Sequence, residues 1–124
     1  MHNSAARAYQ QVGQQTVSPR ILEANLLSRA ASQLQRIRDN WDVAEDDLYP
    51  ALMFNRKLWG IFMTSVTGTD SALPQALRQN IANLGLFVQK HTLSTQNRPE
   101  AKKLDVLINI NRQIAAGLRA QAEQ

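Results

Sequence analysis

The chain has 124 residues, with fourteen Lys and Arg against ten Asp and Glu, two histidines and no cysteine. That length suits one domain around a single core, and the missing thiols exclude a disulfide framework and any Cys-ligated zinc site. Five of the ten acids (Asp39, Asp42, Glu45, Asp46, Asp47) fall within nine positions, so the net charge of +4 leaves +9 on the rest of the chain, a distribution that either solvates a charged face or attracts a polyanionic partner.

The segment Met1 to Thr16 carries one arginine and no apolar run of signal-peptide or membrane-span length, which points to a soluble, cytoplasmic protein. Ser4 to Gln14 reads as a short or frayed helix, and residues 1–17 as a mobile helix or arm. Ser18 before Pro19 marks a firm helix start, because the hydroxyl can cap free N–H groups and proline at the first position sacrifices none that matter. From there Glu23, Leu27, Ala30, Leu34, Ile37 and Trp41 recur at intervals of three and four, predicting a helix to about Arg38. The acidic run then reads as a turn that brings Asp46 and Asp47 to the positive end of a helix striped by Leu48, Leu52, Asn55, Trp59, Phe62 and Val66, with Pro50 in its first turn.

The segment "TGTDSALP" (67–74) has loop chemistry and precedes a helix striped by Leu73, Leu77, Asn80, Leu84, Phe87 and His91. In "STQNRPE" (94–100) a second break offers Asn97 and Glu100 as a capping box, with Pro99 in the first turn. The last helix is striped by Leu104, Leu107, Asn111, Ile114 and Leu118. No segment shows sustained strand alternation, so the expected architecture is all-α, a compact single-domain helical bundle of four to five helices spanning residues 1–124.

Two features interrupt the apolar stripes. Asn55, Asn80 and Asn111 each take a stripe position, where they either reach water at the edge or form a buried amide cluster that fixes helix register. Gly60, Gly85 and Gly117 sit inside apolar helical stretches, where each costs about 1 kcal/mol against alanine and marks either a close helix approach or a groove whose backbone a partner can reach. His2 and His91 lack ligand-spaced partners, and the acidic run has Ala44 and Pro50 where a calcium loop needs glycine and glutamate. No phosphate loop, dinucleotide fingerprint or nucleophile elbow occurs, so neither catalysis, a metal nor a cofactor is expected. Arg29, Arg36, Arg38, Arg56, Lys57, Arg112 and Arg119 could combine into a basic face that permits RNA contact, although no aromatic belongs to an RNA-binding signature.

The runs "NRKLWGIFM", "LPQALRQNIANLGLFV" and "LININ" followed by "RQIAAGL", with "AYQ" and "SPRILEANLL" upstream, resemble the FlaF family of flagellar biosynthesis regulators in order and spacing over most of the chain. Two positions depart from that pattern: Ile21, where an acid is expected after "SPR", and Gly60, where a larger residue is usual after "KLW". The resemblance implies a cytoplasmic, non-enzymatic protein that acts with flagellin alongside a second regulator, FlbT. Under that implication a helical groove would shield an amphipathic flagellin end until export. Trp59, Phe62 and Phe87 are then the apolar anchors, and Asn55, Arg56, Asn80 and Asn83 the polar contacts or register pins. Ordinary core packing is the alternative for the aromatics. Two other readings are an RNA-binding regulator of flagellin translation and a scaffold for FlbT.

Overall fold

A computed structural model describes residues 18–68 and 70–123; the predicted helix Ser4 to Gln14 lies outside the described residues. In chain order come α1 (Pro19–Asp39), a short α2 (Trp41–Ala44), α3 (Leu48–Thr67), α4 (Gln75–Asn97) and α5 (Leu104–Ala122), with single 3-10 turns at Glu45–Asp47 and Ala101–Lys103. The fold is all-α, with four long helices and no strand among the described residues.

Local chemistry sets most boundaries. Ser18 Oγ accepts the Ile21 N–H at 3.2 Å and Pro19 follows the cap directly; with Ile21 in place of an acid, the reciprocal half of a capping box is missing. At the far end of α1 the Asn40 side chain donates to the Arg36 carbonyl at 2.9 Å, and Arg36 and Arg38 occupy the last turn, where the helix dipole favours cations. Glu45, Asp46 and Asp47 form the turn before α3 and face its positive end without making a side-chain cap bond. Pro50 stands third in α3, where no intrahelical N–H is required.

The capping box predicted from Asn97 and Glu100 does not form. Asn97 is the last residue of α4, and Glu100 makes no cap bond. Instead the Lys103 ammonium donates to the Ser94 and Arg98 carbonyls at 3.3 and 2.8 Å. A cation satisfies free carbonyls at the negative end of a long helix, a role no carboxylate can fill. His91 Nε2 donates to the Lys103 carbonyl at 2.7 Å and ties the two helices at their junction.

α5 runs antiparallel along α1: Arg38 near the end of α1 pairs with Asp105 at the start of α5, and Arg119 near the end of α5 reaches Asn25 and Ser28. α3 also lies antiparallel to α1, through Ser65 on Glu23 and Arg36 on Asp47. α4 runs back along α3, where Gln89 donates to the Arg56 carbonyl at 3.3 Å. α1 therefore carries both α3 and α5, whereas α4 leans chiefly on α3 and meets α5 far less.

The predicted stripes are buried throughout α3 (Leu48, Leu52, Asn55, Trp59, Phe62 and Val66) and α5 (Leu104, Leu107, Asn111, Ile114 and Leu118), and on α1 at Leu27, Ala30, Leu34 and Ile37, while Glu23 is half-buried and Trp41, also half-buried, falls beyond α1 in the short α2. On α4 the stripe is displaced by one residue. Ile81, Gly85, Val88, Thr92 and Thr95 face inward, while Leu77, Leu84 and His91 are half-buried and Asn80 and Phe87 exposed. A Cβ on Gly85 would collide with the Met63 thioether, so this glycine makes room for a side chain of α3 to pack against α4. The hydroxyls of Thr92 and Thr95 donate to the Val88 and His91 carbonyls at 2.7 and 2.8 Å, which lets polar residues lie inside. Gly60 and Gly117 mark no close approach, since a Cβ on either meets nothing within 4 Å among the described residues.

Candidate functional site

Asn55 and Asn111 are fully buried and bonded to each other, which makes "NRKLWGIFM" a core helix with a register pin. The Trp59 indole can only donate, and it donates to Asn111 Oδ1 at 2.8 Å. That fixes the orientation of the Asn111 amide. Its Nδ2 then donates to Asn55 Oδ1 at 2.7 Å and to the Leu27 carbonyl at 3.3 Å, so one side chain links α1, α3 and α5. Asn55 Nδ2 is buried with no partner among the described residues. Asn111 is thus the hub of the cluster, and Asn55 a less well satisfied member.

The seven residues expected to meet a partner fall into three groups. Asn55, Trp59 and Phe62 have at most 2% exposure. They lie in the core, where Asn55 takes the register-pin alternative and Trp59 and Phe62 the core-packing one, the two rings meeting edge to face with centroids 5.4 Å apart. Asn80, Asn83 and Phe87 lie on the outside of α4, where Asn83 accepts from Gln79 and Phe87 stacks on His91 at 5.3 Å. Arg56 lines a cleft between α3 and α4.

That cleft, about 250 Å³, is formed by Arg56 of α3 with Gln89, Lys90, Leu93 and Gln96 of α4. Gln96 also lines a larger cleft of about 520 Å³ at one end of the two helices, with Glu45, Asp46, Tyr49 and Pro99. At the opposite end Thr67, Gln75, Arg78 and Ala82 enclose about 230 Å³. The first two clefts share Gln96, and Gln75, Arg78 and Ala82 of the third fall on the same helical line of α4 as Gln89, Leu93 and Gln96, so the three follow one side of α4 as an interrupted groove. Tyr49, Leu86 and Leu93 are each more than half exposed beside it. Gly60 falls one helical turn beyond Arg56 on the same side of α3, and no side chain fills the space above it. Leu86, Leu93, Lys90 and Tyr49 carry this groove, and sequence periodicity did not single them out because displacing the α4 stripe by one residue decides which flank is wet.

The cations do not share one face. Arg29 and Arg36 line a separate cleft of about 360 Å³ between α1 and α3, with Asp47 and Phe54. Arg38, Arg112 and Arg119 run along the α1–α5 seam with Asp105, Gln35, Asn25 and Ser28 as partners. The hydrogen bond from Arg38 holds the Asp105 carboxyl below its ordinary value, and the same bond raises Arg38. Among the described residues no three His, Asp or Glu side chains converge as metal ligands, and no helix is long and apolar enough to cross a membrane.

The fold and groove define a small all-α bundle protein with a helix-lined surface groove and a polar pin at its centre. The sequence model of the family described as flagellar protein FlaF matches residues 5–118. The chain belongs to that family, and with it to the proteins of the flagellum. No curated protein and no solved structure matches the chain.

Proposed function

We propose that this FlaF-family protein is a non-enzymatic, cytoplasmic flagellar biosynthesis regulator that binds flagellin as a secretion chaperone and couples its synthesis to export. The observation behind this reading is the α3–α4 groove, in which exposed Leu86, Leu93 and Tyr49 alternate with Arg56 and Lys90. A groove between two helices is the shape that takes an amphipathic helix by its apolar face, and flagellin ends are amphipathic segments that must be kept from polymerising before export. Arg56 takes the polar role, flanked by the apolar residues that aromatic and arginine-rich contact surfaces use. Asn80, Asn83 and Phe87, exposed on α4 outside the lining of these clefts, are left for a second contact such as FlbT.

Separate retention assays of the purified full chain with flagellin, with FlbT and with the flagellin messenger leader test the reading. Flagellin is expected to be retained at moderate salt and lost with the Leu86→Asp/Leu93→Asp double variant, whose exposed positions leave the fold intact. Retention of the leader RNA alone, weakening steeply with salt, would favour the RNA-binding regulator, and retention of FlbT alone the scaffold.

A further inference from the structure

The α3–α4 groove is electrically polar along its length. Its wide end carries Glu45 and Asp46, its middle Arg56 and Lys90, and its far end Arg78, whose Nε is buried without a partner among the described residues. Asp46 and Arg56 are ten positions apart along α3 and its leading turn, about 15 Å at 1.5 Å per residue. Along α3 between Arg56 and Thr67, one helical turn beyond Arg56, Gly60 leaves the backbone uncovered, so a helix laid there can seat more deeply than between two ordinary side-chain walls.

We infer that the groove takes a single amphipathic helix in one direction, its basic end over Glu45 and Asp46 and its acidic residues, about ten positions along, over Arg56 and Lys90. The inference rests on the reading of this groove as the binding face but not on flagellin being the occupant. The charge order selects among helices: one with acids at both ends would place like charge on Glu45 and Asp46. In a second copy of this chain most α1 and α5 cations are already engaged, Arg38, Arg112 and Arg119 along their shared seam and Arg20 and Arg36 on Glu23 and Asp47.

The test uses the full chain and a synthetic amphipathic peptide of about 20 residues, long enough to span the groove at 1.5 Å per residue. It has a leucine stripe, lysines at one end, glutamates in the other half and a thiol-reactive group at either end. Because the chain has no cysteine, Gln96→Cys and Gln79→Cys each introduce a single thiol, one at either end of the groove. Gln96→Cys is expected to couple to the lysine end and Gln79→Cys to the glutamate end. Gly60→Trp should weaken binding about tenfold or more without lowering the unfolding midpoint, since the new side chain enters open space. Equal coupling of both ends to both thiols, unchanged affinity in Gly60→Trp, absence of peptide binding, or a groove-dependent dimer in sedimentation would each overturn the inference. Flagellin binding with no peptide binding would overturn the inference while sparing the chaperone reading; peptide binding without flagellin binding would do the reverse.

Discussion

The α1–α3–α5 side of the molecule and the α4 side obey different packing rules. On the first side large apolar residues interlock around one amide hub, and almost nothing of Leu27, Leu34, Trp59, Leu107 or Leu118 reaches water. On α4 the inward positions hold a glycine and two threonines, while Leu86, Phe87 and Leu93 stay 42–61% exposed. α1 and α3 also leave Leu22, Leu26, Tyr49 and Ile61 exposed, so what sets α4 apart is the small size of several of its inward residues rather than exposed apolar surface as such. A helix held mainly by one neighbour at a glycine contact is the natural place for a second helix to be received.

Substitutions at the hub give the largest expected change in that contrast. Asn111→Leu leaves the Trp59 N–H and the Asn55 carbonyl oxygen buried and unpaired, so urea unfolding followed by circular dichroism should show a loss of about 3 kcal/mol. Trp59→Phe deletes one donor and part of a buried ring and should cost about 2 kcal/mol by the same measurement. Asn55→Leu removes one bond together with an unpartnered donor and should cost only about 1 kcal/mol. If it costs more than Asn111→Leu, the hub is misassigned.

Glycines on α3 and α4, one in open space and one against a side chain, give a smaller effect of opposite sign. Gly60→Ala should stabilise by about 0.5–1 kcal/mol, because the new methyl meets nothing and helix propensity improves. Gly85→Ala forces Met63 to repack and should gain nothing or lose stability in the same unfolding series.

The smallest effect is electrostatic. With its carboxyl held below the ordinary 3.8, Asp105 contributes stability that is present above that value and lost as pH falls through the lower folded-state value. The stability difference between the wild type and Asp105→Asn should therefore shrink as pH is lowered from 7 toward 3. A difference that grows on acidification would contradict the ion pair to Arg38.

Sequence alone determined the helical class, the Ser18–Pro19 start and the inward stripes of α1, α3 and α5, because large apolar residues at three- and four-residue spacing leave one phase that buries them all. It also marked Asn55 and Asn111 as anomalous, but only the tertiary structure made Trp59 their third partner and left Asn80 in water. The α4 phase was equally out of reach of periodicity. There the decisive contacts come from Met63 on Gly85 and from threonines bonded to their own helix. Shape and local satisfaction rather than hydrophobicity choose the buried line, and with it which leucines remain outside to form the groove.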